Sequence, residues 1–182
     1  MNVQIREQRV FDHYNWLEKK LKKNSKDNSV AWLGVVIHHP VLRDASLKKD
    51  LLPLLQKYKV DFSLVGHKHQ FEYANFGYDE KVRFPSKNRG PILDDCKGKK
   101  EILNTKSREQ IFNKGEKFHQ FMVGGSGRKL REVCPYKDQD GKVYFQNVEN
   151  YGLASMEVDS HHFTVKYHIE KSEDLYTITV NK

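Results

Sequence analysis

Two short stretches decide the fold: Val35-Val36-Ile37-His38-His39-Pro40-Val41 and Asp61-Phe62-Ser63-Leu64-Val65-Gly66-His67-Lys68-His69. Each is an apolar, β-branched run that ends on histidines. Ala31 to Ile37 has the pattern of a short strand buried on both faces, and Pro40, which has no amide donor, ends it. Between the runs, Leu47, Leu51, Leu54, Leu55 and Tyr58 recur at helical spacing, with Pro53 starting a fresh turn or kinking the first. Strand, helix, strand at this spacing predicts a βαβ unit with a parallel pair. Both histidine motifs then leave the carboxyl ends of neighbouring strands, the edge at which open α/β sheets bind ligands.

Upstream, Val10, Tyr14, Leu17 and Leu21 predict an amphipathic helix running to about Lys23, closed by the polar loop Asn24 to Ser29. From Asn75 to Lys117 the pattern is basic and turn-rich, as in Asn88-Arg89-Gly90-Pro91 and Lys97-Gly98-Lys99-Lys100, with a short helix near Ser107 to Asn113. A stretch of that length is expected to be a lid or a mobile insertion, the second being the simpler reading. His119 to Val123 predicts a strand running into Gly124-Gly125-Ser126-Gly127. Leu153 to Val158, Phe163 to Ile169 and Leu175 to Val180 predict an antiparallel meander, and no internal repeat occurs.

Composition bounds the answer. The 182 residues are 37% hydrophobic and 31% charged, which fits one globular domain and excludes a wholly disordered chain. No apolar run approaches the ~20 residues of a membrane-spanning helix, and the first seven residues lack the apolar core of a secretory signal. The net charge of +8 favours anionic partners, but the lysines are scattered, so a solvated basic surface is the simpler reading. Cys96 and Cys134 form either one bridge or two thiols.

Taken alone, His67-x-His69 is a weak metal signal, and His38 with His39 is equally weak, since a histidine bonded to backbone is common. One shared edge makes them a candidate metal cluster. Gly124 to Gly127 lacks the Gly-Lys-Ser/Thr ending of a phosphate loop, so it reads as a tight turn. Arg128, Lys129 and Arg131 read as a solvated loop that could meet an anion. His161, His162 and His168 read as structural.

The two stretches, with Leu52-Pro53-Leu54-Leu55-Gln56-Lys57-Tyr58 between them, resemble the last two signature blocks of the calcineurin-like metallophosphoesterases. More narrowly they resemble the purple (tartrate-resistant) acid phosphatases, whose blocks are a strand with Gly-His-Tyr-Pro and a strand with Gly-His-Asp-His. Tyr14-Asn15-Trp16-Leu17, Phe121-Met122-Val123-Gly124-Gly125-Ser126-Gly127 and the closing strands extend the likeness; the 75–117 insertion has no counterpart. The resemblance implies an α/β fold, the carboxyl-terminal part of the metallophosphoesterase β-sandwich with flanking helices, so residues 1–182 form a single, partial domain. It implies a hydrolase acting on phosphate esters through a hydroxide activated by two metals. The centre would be iron with zinc, iron or manganese, with His38 and His67 on the divalent ion and His69 on the iron. His39 stands where the family has tyrosine, and would contact phosphate or replace a supporting bond. Ser46 and Leu47 stand where the family often has a further histidine.

The family's aspartate, tyrosine and asparagine ligands belong to blocks that would precede Tyr14, and no Gly-Asn-His-Glu pattern occurs in this chain. The expectation is therefore the histidine half of a site, inactive alone, whose partner is a missing amino-terminal half of the same domain. The complete protein would be secreted or lysosomal. Alternatives are a non-catalytic remnant or pseudoenzyme, or a basic polyanion-binding module, although nucleic acid is not the expected partner.

Overall fold

The structure is a computed structural model that describes residues 3–42, 44–81, 101–103, 105–127, 129–130, 143–171 and 176–182. Cys96, Cys134, Arg128 and Arg131 lie outside the described residues. The chain opens with α1 (Val3–Asn24), followed by β1 (Gly34–Val36), α2 (Ala45–Asp50), α3 (Leu52–Lys57) and β2 (Phe62–Val65). Next come β3 (Phe71–Gly77), β4 (Glu101–Leu103), β5 (Glu109–Asn113) and β6 (Lys117–Val123). The last strands are β7 (Val143–Asn147), β8 (Gly152–Val158), β9 (His162–Ile169) and β10 (Tyr176–Asn181).

These strands form two sheets, one of six in the order β1-β2-β6-β3-β7-β4 and one of four in the order β5-β10-β9-β8. In the larger sheet β1, β2 and β6 run parallel, while β3, β7 and β4 add antiparallel. The predicted βαβ unit is present, with its crossover split between α2 and α3 and Pro53 inside the first turn of the second helix. That placement suits proline, because the first-turn amide it lacks has no helical acceptor. Asp44 caps α2, accepting hydrogen bonds from the amides of Ser46 at 2.9 Å and Leu47 at 3.0 Å. The β8–β9–β10 meander is present as predicted.

The larger sheet is covered on both faces, which gives three layers. On one face Leu21, Val41, Leu42, Leu51, Leu52 and Leu55 pack against Ala74, Phe76, Phe118 and Val143 of the sheet. On the other, Phe71, Tyr73, Phe121 and Phe145 meet Phe163, Val165, Tyr167, Tyr176, Ile178 and Val180 of the smaller sheet. Strand β3 alternates between these two cores, so six of its seven residues are buried. Apolar burial of this extent, at ~25 cal/mol per Å² removed from water, is the main force holding the layers together.

Two expectations are corrected. Residues 107–113 form no helix: Glu109–Asn113 is β5, paired in parallel with β10 from Thr177↔Glu109 to Asn181↔Asn113. Its inward residues Gln110 and Phe112 alternate with exposed neighbours, a period of two that only pairing with a distant strand reveals. Nor is the first predicted strand buried on both faces. β1 is the edge of the larger sheet, and Val36 is 77% exposed. Within the 75–117 stretch, residues 82–100 lie outside the described part; the rest supplies the end of β3, together with β4 and β5.

Candidate metal centre

The site begins as backbone geometry. Past the ends of β1 and β2 the parallel ladder continues: the Ile37 amide donates to the Leu64 carbonyl at 3.1 Å, and the Gly66 amide to the His38 carbonyl at 3.1 Å. Those bonds set His38 beside Gly66-His67 before any side-chain choice is made. The following loop folds tightly, with Lys68 N–H on the Gly66 carbonyl at 2.7 Å and Gln70 N–H on the Lys68 carbonyl at 2.8 Å. Within it His67 sits at φ 63°, in the left-handed region that L residues other than glycine avoid. The loop lies against the end of β6 because residue 124 is glycine. A Cβ there would stand 1.7 Å from the Lys68 carbonyl oxygen.

On this frame His38, His39 and His67 converge, their candidate ligand atoms all within 4.8 Å of one another. Among the described residues this is the group that satisfies metal-ligand spacing, and it contains no carboxylate. His67 Nδ1 and His38 Nε2 are hydrogen-bonded to each other at 3.1 Å. The His39 and His67 rings lie with centroids 3.8 Å apart, tilted by 32°. His39 Nδ1 is 3.8 Å from the Asp44 carboxylate oxygen Oδ2. His38 and His39 are exposed and His67 is partly buried, so an ion could reach all three from solvent.

His69 is not a member of this group. Its Nδ1 pairs with the Lys129 carbonyl at 2.7 Å, which makes Nδ1 the N–H donor and leaves Nε2 its lone-pair nitrogen. Metal-bound histidines commonly donate their other ring N–H in this way. The four sequence candidates thus divide into a cluster of three and a fourth histidine on the adjoining loop. Sequence reasoning missed Asp44, although aspartate three residues before the first apolar position of a helical stripe is a recognisable cap signal. It also missed Glu72, fully buried beside the loop, with its Oε2 accepting from Gln146 at 2.7 Å and Gln70 at 3.4 Å.

The histidines read as structural have local partners. Asp159 Oδ1 accepts from the amides of His161 at 2.6 Å and His162 at 2.8 Å, closing the β8–β9 turn. His168 Nε2 pairs with Ser155 Oγ at 2.8 Å across the same two strands.

The donor chemistry fits a transition metal. Three neutral imidazoles suit zinc, copper, nickel or iron better than magnesium or calcium, which favour oxygen. Two nitrogens bound to one ion at ~2.0–2.1 Å stand roughly 2.9–3.4 Å apart for angles between 90° and tetrahedral. The 3.1 Å between His38 and His67 falls inside that range.

The mixed α/β architecture of two stacked sheets is a fold with counterparts among solved structures. Over 92% of its length the chain superposes on the purple acid phosphatase PPD1 from yellow lupin (Lupinus luteus) seeds, with a TM-score of 0.58 and 21% identity. It superposes equally widely, with a TM-score of 0.60 and 18% identity, on GAP50, the anchor in the inner membrane complex of Plasmodium. Those superpositions cover 28% and 41% of the two larger structures. Proteins from two strains of Mycobacterium tuberculosis, described only as uncharacterized, are each 25% identical over 96 residues. The matches take in 46% of this chain and 18% of those relatives. No family model matches.

Proposed function

We propose that this chain carries the histidine part of a metal-dependent phosphomonoesterase of the acid phosphatase kind. The observation that carries the reading is the ladder bond from Gly66 N–H to the His38 carbonyl, which sets two ligand-type nitrogens 3.1 Å apart at the carboxyl edge of a parallel pair. A dinuclear centre of iron with zinc, iron or manganese supplies Lewis acidity at phosphorus and lowers the pKa of the attacking water. In this proposal His38 and His67 hold the divalent ion. His69, its tautomer fixed by the Lys129 carbonyl, serves the iron through Nε2. His39, exposed in the same cluster, orients a phosphate oxygen in this reading.

Oxidised iron favours oxygen ligands beside nitrogen, and the cluster holds none among the described residues. The proposal therefore assigns them to a preceding half of the same domain. Support comes from β1, an edge strand with Val36 exposed, and from Val10, Phe11 and Trp16 of α1, each 49–61% exposed. A further strand beside β1 would complete the sheet next to the histidines. In this reading the complete protein is secreted or lysosomal and acts on phosphate esters rather than nucleic acid.

The test is hydrolysis of p-nitrophenyl phosphate in mild acid, measured with metal content by plasma mass spectrometry. A complete protein should bind two metals and lose turnover with His67→Ala, whereas this chain alone should turn over little or nothing. Full activity in His67→Ala would remove the assignment. A cluster made of three histidines among the described residues favours one second reading, a non-catalytic relative that keeps the fold and a nitrogen-only metal site.

A further inference from the structure

We propose that His39 is a metal ligand in its own right, so that this chain alone holds a single transition-metal ion between His38, His39 and His67. The inference does not require phosphate-ester hydrolysis, and it gives His39 a different role from the phosphate contact suggested above.

Three observations carry it. The ligand atoms of the three histidines lie within 4.8 Å of one another, with no other residue type in the group. His67 Nδ1 and His38 Nε2, 3.1 Å apart and hydrogen-bonded to each other, also have the spacing of two corners of one coordination polyhedron. The third observation is Asp44. Its Oδ1 is engaged by the Ser46 and Leu47 amides, while Oδ2 faces Nδ1 of His39 at 3.8 Å. A carboxylate hydrogen-bonded to the far nitrogen holds the tautomer of many histidines that bind zinc; at 3.8 Å the Asp44 contact is electrostatic and longer than that bond. That contact places the carboxylate beside Nδ1 and leaves Nε2 as the nitrogen offered to the ion in this proposal. The position of Asp44 is secured by the helix cap, so the orienting group does not depend on the metal.

Geometry also explains how the third ring reaches the ion. The His39 and His67 rings pack with centroids 3.8 Å apart, tilted by 32°, so His39 turns about its side-chain bonds to share an ion with His67. The His39 side chain is 45% exposed, and rotation about its side-chain bonds is open to solvent. Three imidazoles leave a fourth position on a four-coordinate ion for water or an anion, as in zinc sites with three protein ligands. The expected ions are zinc, copper and nickel, because neutral nitrogen ligands discriminate against magnesium and calcium.

The experiment titrates zinc into the 182-residue chain, freed of metal with a chelator, by calorimetry, and follows cobalt(II) by its visible absorption. One zinc per chain and a four-coordinate cobalt spectrum are expected. His39→Phe keeps an aromatic ring against His67 while removing the ligand, and should weaken zinc binding by about 100-fold or more; His39→Gln should do the same. Asp44→Asn keeps a good helix cap and removes only an electrostatic contact, so it should cost less than either His39 substitution. His161→Ala, at the β8–β9 turn and outside the cluster, should stay within about threefold of the parent. Far-ultraviolet circular dichroism confirms that each variant keeps the fold.

The inference is overturned if the chain binds no zinc, or if His39→Phe and His39→Gln bind it as the parent does. Unchanged binding in the His39 variants together with loss in His69→Ala would overturn it while leaving the phosphoesterase ligand set standing. Binding that depends on His39, in a complete protein that hydrolyses no phosphate ester, would support it and remove the phosphoesterase reading instead.

Discussion

Acid should weaken this fold through one buried imidazole. His119 lies between the two sheets, 1% exposed, with Nδ1 2.8 Å from the Tyr73 hydroxyl and, among the described residues, no partner for Nε2. Burial lowers its pKa from the ordinary 6.5 to about 3, with the charge of Lys117 adding to the effect. The unfolded chain therefore binds this proton more tightly than the folded one between those two values. Stability from this group is complete above pH 6.5 and is lost as pH falls toward about 3. The loss amounts to about 2 kcal/mol by pH 5 and about 3 kcal/mol by pH 4. Against a whole-domain stability of ~5–15 kcal/mol that is a substantial fraction. The assay is urea denaturation at several pH values between 7.5 and 4, comparing the parent with His119→Gln. The glutamine oxygen can accept from Tyr73 but does not titrate. His119→Gln should be less stable at pH 7.5 by about 1–2 kcal/mol and should lose about 2 kcal/mol less on going to pH 5. Parallel losses in the two proteins would refute the assignment of acid sensitivity to this residue.

Three further outcomes are expected. Tyr73→Phe removes the partner of both His119 Nδ1 and Asn75 Nδ2, which donates to the Tyr73 hydroxyl at 2.9 Å; it should cost about 2–3 kcal/mol in chemical denaturation. Gly124→Ala forces the 66–70 loop away from β6, because the new methyl would overlap the Lys68 carbonyl. It should cost about 1–3 kcal/mol by thermal melting and weaken zinc binding at the neighbouring histidines. His67→Gly relieves the left-handed backbone at φ 63° while deleting a ligand. The melting midpoint of metal-free protein should hold or rise, by up to about 1 kcal/mol of stability, while calorimetry shows zinc affinity lost.

The part of the site legible in the sequence was the part set by strand ends. Runs such as Phe62 to Val65 followed by Gly66-His67 fix both the parallel pair and the edge where the rings emerge, because the ladder register determines which backbones meet. Which histidines share an ion was not legible. His69 differs from His67 by two positions in a tight loop, and the Lys129 carbonyl that engages it is 60 residues away. Val36 read as buried because apolar composition reports that a residue can be covered, not what stands beside it. For β5 the difficulty was of the same kind. The local sequence Glu109-Gln110-Ile111-Phe112-Asn113 admits helix or strand, and β10 decides between them. The resemblance to the purple acid phosphatases agrees with the fold, which is what a likeness at 21% identity shows.

Strand β5 also bears on the order in which this molecule can assemble. It lies in sequence between β4 and β6, both of the larger sheet, yet it pairs with β10 at the edge of the smaller one. The chain thus passes from one layer to the other and back before most of the second layer has been synthesised. During translation β5 must wait, unpaired, until β10 emerges, and joining segments so far apart along the chain is slow. Chains interrupted before Tyr176 would carry Ile111 and Phe112 on a strand with no partner, a sequence prone to pairing with other copies and a substrate for chaperones.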